Sequence, residues 1–200
     1  SFRKNLLNYF KNNKQKILKA NVLINTQLYL SKKMSSIILF NYSPRLNDFL
    51  YWLQQLIAES LGKKSKGLLP VISTAPQDHH SLLQLYLDGP RDKVFYIFSG
   101  SNSYNLKSKN IFFGEKFSFL KNKKIEKIIA SQKRAFIKVL KKKKIPYREV
   151  FINQFTEQSI GELFSYFMIE TSMIGYLMNI NPFDQPAVEE VKKLTKYYLN

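Results

Sequence analysis

Cysteine is absent from the 200-residue chain, and with it go a disulfide framework, a thiolate metal site and a thiolate nucleophile. Histidine is scarce: the two present, His79 and His80, are neighbours and cannot complete a zinc site alone. Arginine is scarce too, 5 of the 32 basic residues, although the formal charge is +18. A basic surface is the first footprint of a nucleic-acid binder, but base and phosphate readout favours the guanidinium fork over the lysine point charge. The excess of Lys, Asn, Ile, Phe and Tyr reads as the drift of an AT-rich genome, and no nucleic-acid partner is expected. The lysine run 141–144 reads as a solvated helix end, its cations near the negative end of the helix dipole. Long hydrophobic runs are missing as well. None reaches the roughly 18 apolar residues of a membrane span, and the opening SFRKNLLNYFKNNKQKIL is broken by Lys and Asn too often for a secretory core. The expectation is a soluble, cytoplasmic enzyme without a membrane partner.

What is present is an alternation of short apolar runs with longer segments of helical period. Strands are predicted over 36–40, 67–73, 94–98 and 147–152, with a short one at 111–113. Helices are predicted over 2–19, with Phe2, Leu6, Leu7, Phe10, Ile17 and Leu18 on one side, and over 22–33, 45–61, 79–87, 122–143, 156–178 and 186–199. Pro44 is placed to open the third of these helices, Gly62 to cap its end, and Gly89-Pro90 to stop the fourth. Asp78 reads as an N-cap. The aromatics Tyr51, Trp52, Phe164, Tyr166 and Phe167 fall at helical spacing and read as core. Strand and helix in alternation imply parallel pairing with right-handed crossovers. The fold class is therefore α/β, a three-layer αβα sandwich around a doubly wound parallel sheet. Residues 1–35 read as a helical lead-in and 36–200 as one domain.

Four pieces carry chemistry: QLIAESLGK (55–63), DHHS (78–81), NPFDQ (181–185) and VEEVK (188–192). They put a carboxylate, a histidine and a lysine on three segments, the inventory of proton transfer. In open parallel sheets the site lies at the carboxyl ends of the strands. DHHS opens the helix after strand 67–73 and QLIAESLGK closes the helix before it, so the two are expected to meet in one crevice. Singly, each residue has a plainer reading. Glu59 is then a helix-surface carboxylate, Lys192 a solvated lysine, and His80 a capping or buried imidazole.

Read in order, with Trp52, KGLLP (66–70) and Gln84 between them, these pieces resemble the carboxy-terminal half of the glucose-6-phosphate isomerase (phosphoglucose isomerase) family. The resemblance spans about residues 36–199. It implies the second of two sugar-isomerase (SIS) domains, flavodoxin-like in architecture. It also implies interconversion of glucose 6-phosphate and fructose 6-phosphate, in glycolysis and gluconeogenesis, by moving a proton between C1 and C2 through an enediol. Glu59 aligns with the family's base. A carboxylate suits that task because it takes and returns the same proton when its surroundings tune it. His80 aligns with the histidine that assists ring opening across a dimer interface, and Lys192 with a lysine near the ring oxygen. Gln55 and Gln185 align with glutamines near the substrate, the latter near its phosphate. The implied partners are a sugar phosphate, a second copy in a homodimer, and the first SIS domain; no cofactor and no metal is implied.

The sequence departs from the family's pattern at Ala58, Leu61, Ala187 and the segment 71–77, and more largely upstream. It has neither the Ser/Thr-rich phosphate loop nor the Gly-Gly-Arg motif whose arginine stabilises the enediolate. The expectation is a fragment of a longer protein that alone binds sugar phosphate weakly and turns over negligibly, since positioning and oxyanion stabilisation supply much of such catalysis. The alternative is a stand-alone phosphosugar-binding regulatory module.

Overall fold

Strand β1 (Ser36–Asn41, SIILFN) is buried at every position, and a strand with no wet face must lie inside a sheet covered on both sides. A computed structural model describes residues 15–101 and 115–199. Along it run α1 (Lys16–Leu30), β1, α2 (Asn47–Leu61), β2 (Leu69–Thr74), α3 (Gln77–Ser81), α4 (Leu83–Asp88), β3 (Lys93–Gly100), α5 (Ile125–Lys143), β4 (Tyr147–Ile152), α6 (Glu157–Leu177) and α7 (Pro186–Leu199). The four strands form an all-parallel sheet of order β2-β1-β3-β4, flanked by helices. This α/β order matches the first four strands of the flavodoxin-like doubly wound arrangement.

The described residues divide into two compact units, one from residues 15–32, 55–69 and 162–199, the other from 33–54, 70–101 and 115–161. The second unit holds nearly all of the sheet. Register pairs Ile38 with Phe95 and Phe40 with Ile97, and these four point to one face, where they pack with Tyr86 of α4 and Phe136 and Leu140 of α5. Ile37, Leu39, Val94, Tyr96 and Phe98 alternate with them and are also buried. There Phe98 meets Phe49 from the start of α2, ring centroids 6.1 Å apart. Helices therefore cover both faces of β1 and β3 within this unit.

The first unit is helical. α1 buries Leu18, Val22, Asn25, Thr26 and Tyr29, one stripe at helical spacing. The buried carboxylate of Glu170 in α6 accepts from Asn25 Nδ2 at 3.3 Å and from the Tyr166 hydroxyl at 3.1 Å, and that hydroxyl accepts from Asn21 Nδ2 at 2.8 Å. Such a carboxylate is tolerated because its lone pairs find donors.

Several expectations need correction. α1 is continuous through Ala20 and Asn21, where a break was expected, because Asn21 spends its amide on Tyr166 instead of its own backbone. Ile17 is 74% exposed and Leu18 2%, so the two do not share a face. Most of helix 2–19 and strand 111–113 fall outside the described residues. The helix expected over 79–87 is two helices separated at Leu82, whose φ of −118° leaves the helical range. Ser81 at the break turns its hydroxyl onto Asp78 Oδ1 at 2.8 Å, a local bond that competes with helix continuation. Asp78 is not an N-cap. It lies inside α3, and its other oxygen accepts from the Thr74 backbone N–H at 2.7 Å. Tyr51 is 64% exposed and is not core. Gly62 follows α2 as expected, but the left-handed glycine of that turn is Gly67, φ 107°.

Phe40 is fully buried and its ring meets those of Tyr42, Tyr86 and Phe136 within 6.3 Å. Phe40→Ala is expected to cost about 3–5 kcal/mol of unfolding free energy. Urea unfolding followed by far-UV circular dichroism measures it, and a loss under about 1 kcal/mol would contradict this account of the core.

Candidate active site

Gln55 and Glu59 sit four residues apart on α2, so their side chains share one helix face. Gln55 Nε2 donates to Glu59 Oε1 at 3.0 Å. Gln185, in the turn before α7, donates its own Nε2 to Glu59 Oε2 at 2.7 Å. Each carboxylate oxygen thus accepts one neutral amide and keeps lone-pair capacity for a further proton. The group is held in a defined orientation by neutral donors. Around it lies a cleft of about 490 Å³, lined by Ala58, Glu59, Lys63, Asn181, Asp184 and Gln185 among others. That volume lies within the usual range of small-molecule sites.

The turn carrying Gln185 is built from sequence-local bonds and from lysines beyond the end of α2. α6 ends with Asn179 in the left-handed conformation, φ 54°, and Ile180 N–H reaching back to the Gly175 carbonyl at 3.0 Å. Asn181 Oδ1 then accepts from Phe183 N–H at 3.1 Å, a side-chain-closed turn. Lys66 donates to the Met178 carbonyl at 2.7 Å, and Lys63 to the Asn181 carbonyl at 2.6 Å. Lys63 also pairs with Asp184 Oδ1 at 3.0 Å. The Lys63 hydrogen bond holds the Asp184 carboxyl below the usual carboxylate range.

Glu59, Gln55 and Gln185 are therefore brought together by direct bonds. Lys192 is not bonded to them; its ammonium pairs with Glu189 Oε1 at 2.7 Å on its own helix, α7. His80 lies on α3, in the unit that holds the sheet, and is exposed. Its neighbour His79 turns inward. His79 Nε2 lies 2.6 Å from the Tyr42 hydroxyl, with its ring edge-on to Phe40, Tyr42 and Phe136 at centroid distances of 5.5, 5.6 and 5.7 Å. Burial pushes the His79 imidazole below its ordinary value, against the opposing pull of Asp78, and pushes the Tyr42 phenol up. Sequence reasoning missed the Lys63–Asp184 bridge and the Tyr42–His79 bond. A signal existed for the first, since Lys63 closes one motif and Asp184 adjoins Gln185 in another. Nothing local announces the second, whose partners are 37 residues apart.

The fold and this site define the class: an α/β protein with a parallel sheet and an amide-held carboxylate in a cleft. The comparisons make it more particular. The chain is 34% identical over 185 residues to the glucose-6-phosphate isomerase of Methanocaldococcus jannaschii, a match covering 89% of this chain and 45% of that one. It is 36% identical over 174 residues to a probable glucose-6-phosphate isomerase of Methanococcus maripaludis, covering 87% and 39%. The chain thus spans under half the length of these curated relatives and is related to glucose-6-phosphate isomerases over that part. No family model matches it. Among solved structures, a hypothetical protein of Thermus thermophilus superposes with a TM-score of 0.82 at 25% identity, over 93% of this chain and 46% of that one. A glucose-6-phosphate isomerase of Chlamydia trachomatis shares the fold, TM-score 0.64 at 17% identity, over 82% and 34%. No helix among the described residues is long and apolar enough to cross a membrane.

The depressed value of His79 has a consequence for stability. Unfolded, its imidazole titrates near 6.5; folded, it resists that proton. As pH falls below 6.5 the unfolded chain binds more protons, so stability is full above that point and declines below it. The urea midpoint is expected to fall between about pH 7.5 and pH 5, and His79→Gln is expected to flatten the decline. An unchanged slope in His79→Gln would refute the assignment.

Proposed function

We propose that this chain is the carboxy-terminal SIS domain of a glucose-6-phosphate isomerase, acting on glucose 6-phosphate and fructose 6-phosphate in the cytoplasm. The observation that carries this reading is the Glu59 carboxylate held by Gln55 and Gln185, three residues from motifs that resemble the family's. Similarity to isomerases of two archaea supports it.

In this reading Glu59 removes the proton from C2 of the open-chain aldose. The C2–H electron pair forms the C1–C2 double bond while the C1–O π pair moves to O1, which takes up a proton to give the enediol; the protonated Glu59 then returns its proton to C1 as the O2 hydroxyl gives up its own, leaving the ketose. The two amides hold the carboxylate toward the carbon while leaving a lone pair for the proton. His80 assists ring opening from a second copy of the chain, and Lys192, released from Glu189, serves the ring oxygen. A preceding SIS domain supplies the phosphate loop and the arginine that this sequence does not contain.

The test is a coupled assay of fructose 6-phosphate conversion, run on the 200-residue chain and on a version extended by an amino-terminal SIS domain. Negligible turnover by the chain and robust turnover by the extended protein are expected. Glu59→Gln in the extended protein is expected to lower kcat by about 10²–10⁴, the usual share of a general base. Inactivity of both proteins, or full activity of Glu59→Gln, would sink the reading.

A further inference from the structure

We propose that Lys63 is a positioning residue, holding the 181–185 turn so that Gln185 reaches the Glu59 carboxylate. Its side chain is only 9% exposed, and its ammonium serves two acceptors of that turn: the Asn181 carbonyl at 2.6 Å and Asp184 Oδ1 at 3.0 Å. Those acceptors sit at the start of the turn and immediately before Gln185. The turn is thus fixed at both ends, and the residue after the second anchor places its Nε2 2.7 Å from Glu59 Oε2. Helix end and turn are joined at two points, Lys63 to Asp184 and Glu59 to Gln185, whose residues are four apart on one side and adjacent on the other. Geometry of this kind leaves Gln185 little freedom while Lys63 is in place.

The plainer role for Lys63 is to neutralise carbonyls at a helix end, and its neighbours show what that looks like. Lys66 donates to the Met178 carbonyl at 2.7 Å and Lys64 to that of Asn179 at 3.5 Å, both before the turn begins. Lys63 differs in gripping the turn itself, through a carboxylate one residue from the glutamine. Loss of Lys63 leaves Asp184 without its counter-ion and frees the turn at both anchors. Glu59 then keeps the Gln55 amide and loses the other. The catalytic meaning of this rests on Glu59 being the base; the geometry does not.

The test is therefore made on the 200-residue chain by NMR, without any assay of turnover. The Gln185 side-chain amide is identified in the ¹⁵N-labelled chain by its loss in Gln185→Leu, and its exchange with solvent is measured in variants. Lys63→Met and the near-isosteric Asp184→Asn are each expected to speed that exchange about tenfold, the effect of losing one hydrogen bond. Lys63→Arg, which keeps two donors, is expected to restore the slow rate. Lys66→Met is expected to lower the melting temperature and leave the Gln185 amide unmoved. Unaltered exchange in Asp184→Asn, or equal acceleration by Lys66→Met, would overturn the proposal. Should Lys63→Met fail to fold, Asp184→Asn decides. Failure of the isomerase reading shows only in the coupled assay.

Discussion

The constraint from which the rest follows is that β1 has no side open to water. Six consecutive buried residues need apolar neighbours above and below and hydrogen-bonded strands on either edge. Parallel neighbours require crossovers, and the crossovers are the helices that cover the faces. At the end of β1 the chain has to leave the sheet without orphaning its polar groups. Asn41 manages this: its carbonyl accepts from Ala75 N–H at 2.8 Å, its Oδ1 from Ser43 N–H at 2.9 Å, and its Nδ2 donates to Asn47 Oδ1 at 2.8 Å. One buried asparagine thus ties the neighbouring strand's exit through its backbone carbonyl, and the turn and the first residue of α2 through its side-chain amide.

The same constraint explains why polar side chains appear where they do. Within the sheet-bearing unit, Ser73 shares a hydrogen bond of 2.6 Å with the Tyr86 hydroxyl, and His79 one with Tyr42, each at the rim of the aromatic cluster. A buried hydroxyl or imidazole without a partner costs about 1–3 kcal/mol. Pairing them lets the cluster hold polar atoms and lets α3 be fastened by His79 and Asp78 while His80 stays outside. Adjacent residues on a single short helix therefore do opposite things, one anchoring and one remaining accessible.

How much of this was legible in the sequence depends on the range of the interaction. Strand β4 and helix α7 fall where periodicity put them, because a local pattern and a proline start are local facts. The parallel order followed from alternation and chirality. Gln55, Glu59 and Gln185 were grouped only by the resemblance: Gln185 is 126 residues from Glu59, and no local pattern joins them. The split between α3 and α4 escaped because Ser81 and Asp78 divert bonds that propensity assigns to the helix. Ile17 and Leu18 were put on one face although consecutive helical residues diverge by about 100°.

Lysine is where the chemistry is plainest. In a chain of formal charge +18, lysines repeatedly settle at the carboxyl ends of helices. Lys63, Lys64 and Lys66 donate to three of the four carbonyls from Met178 to Asn181 that follow α6, those of Asn181, Asn179 and Met178. At the end of α5, Lys144 takes the left-handed conformation, φ 55°, normally left to glycine, and the Ile145 and Lys144 amides close onto the Leu140 and Lys141 carbonyls. Buried Ile145 packs in the same cluster as Leu140, the apolar contact that accompanies such a cap. Helix carboxyl ends carry partial negative charge and unpaired carbonyls, so a chain rich in lysine and poor in glycine can close its helices with ammonium groups. That habit has one consequence beyond stability. A lysine already needed at the end of α2 is well placed to take on Asp184 as well, and a composition that looks like a binding surface becomes the means of holding a glutamine against a carboxylate.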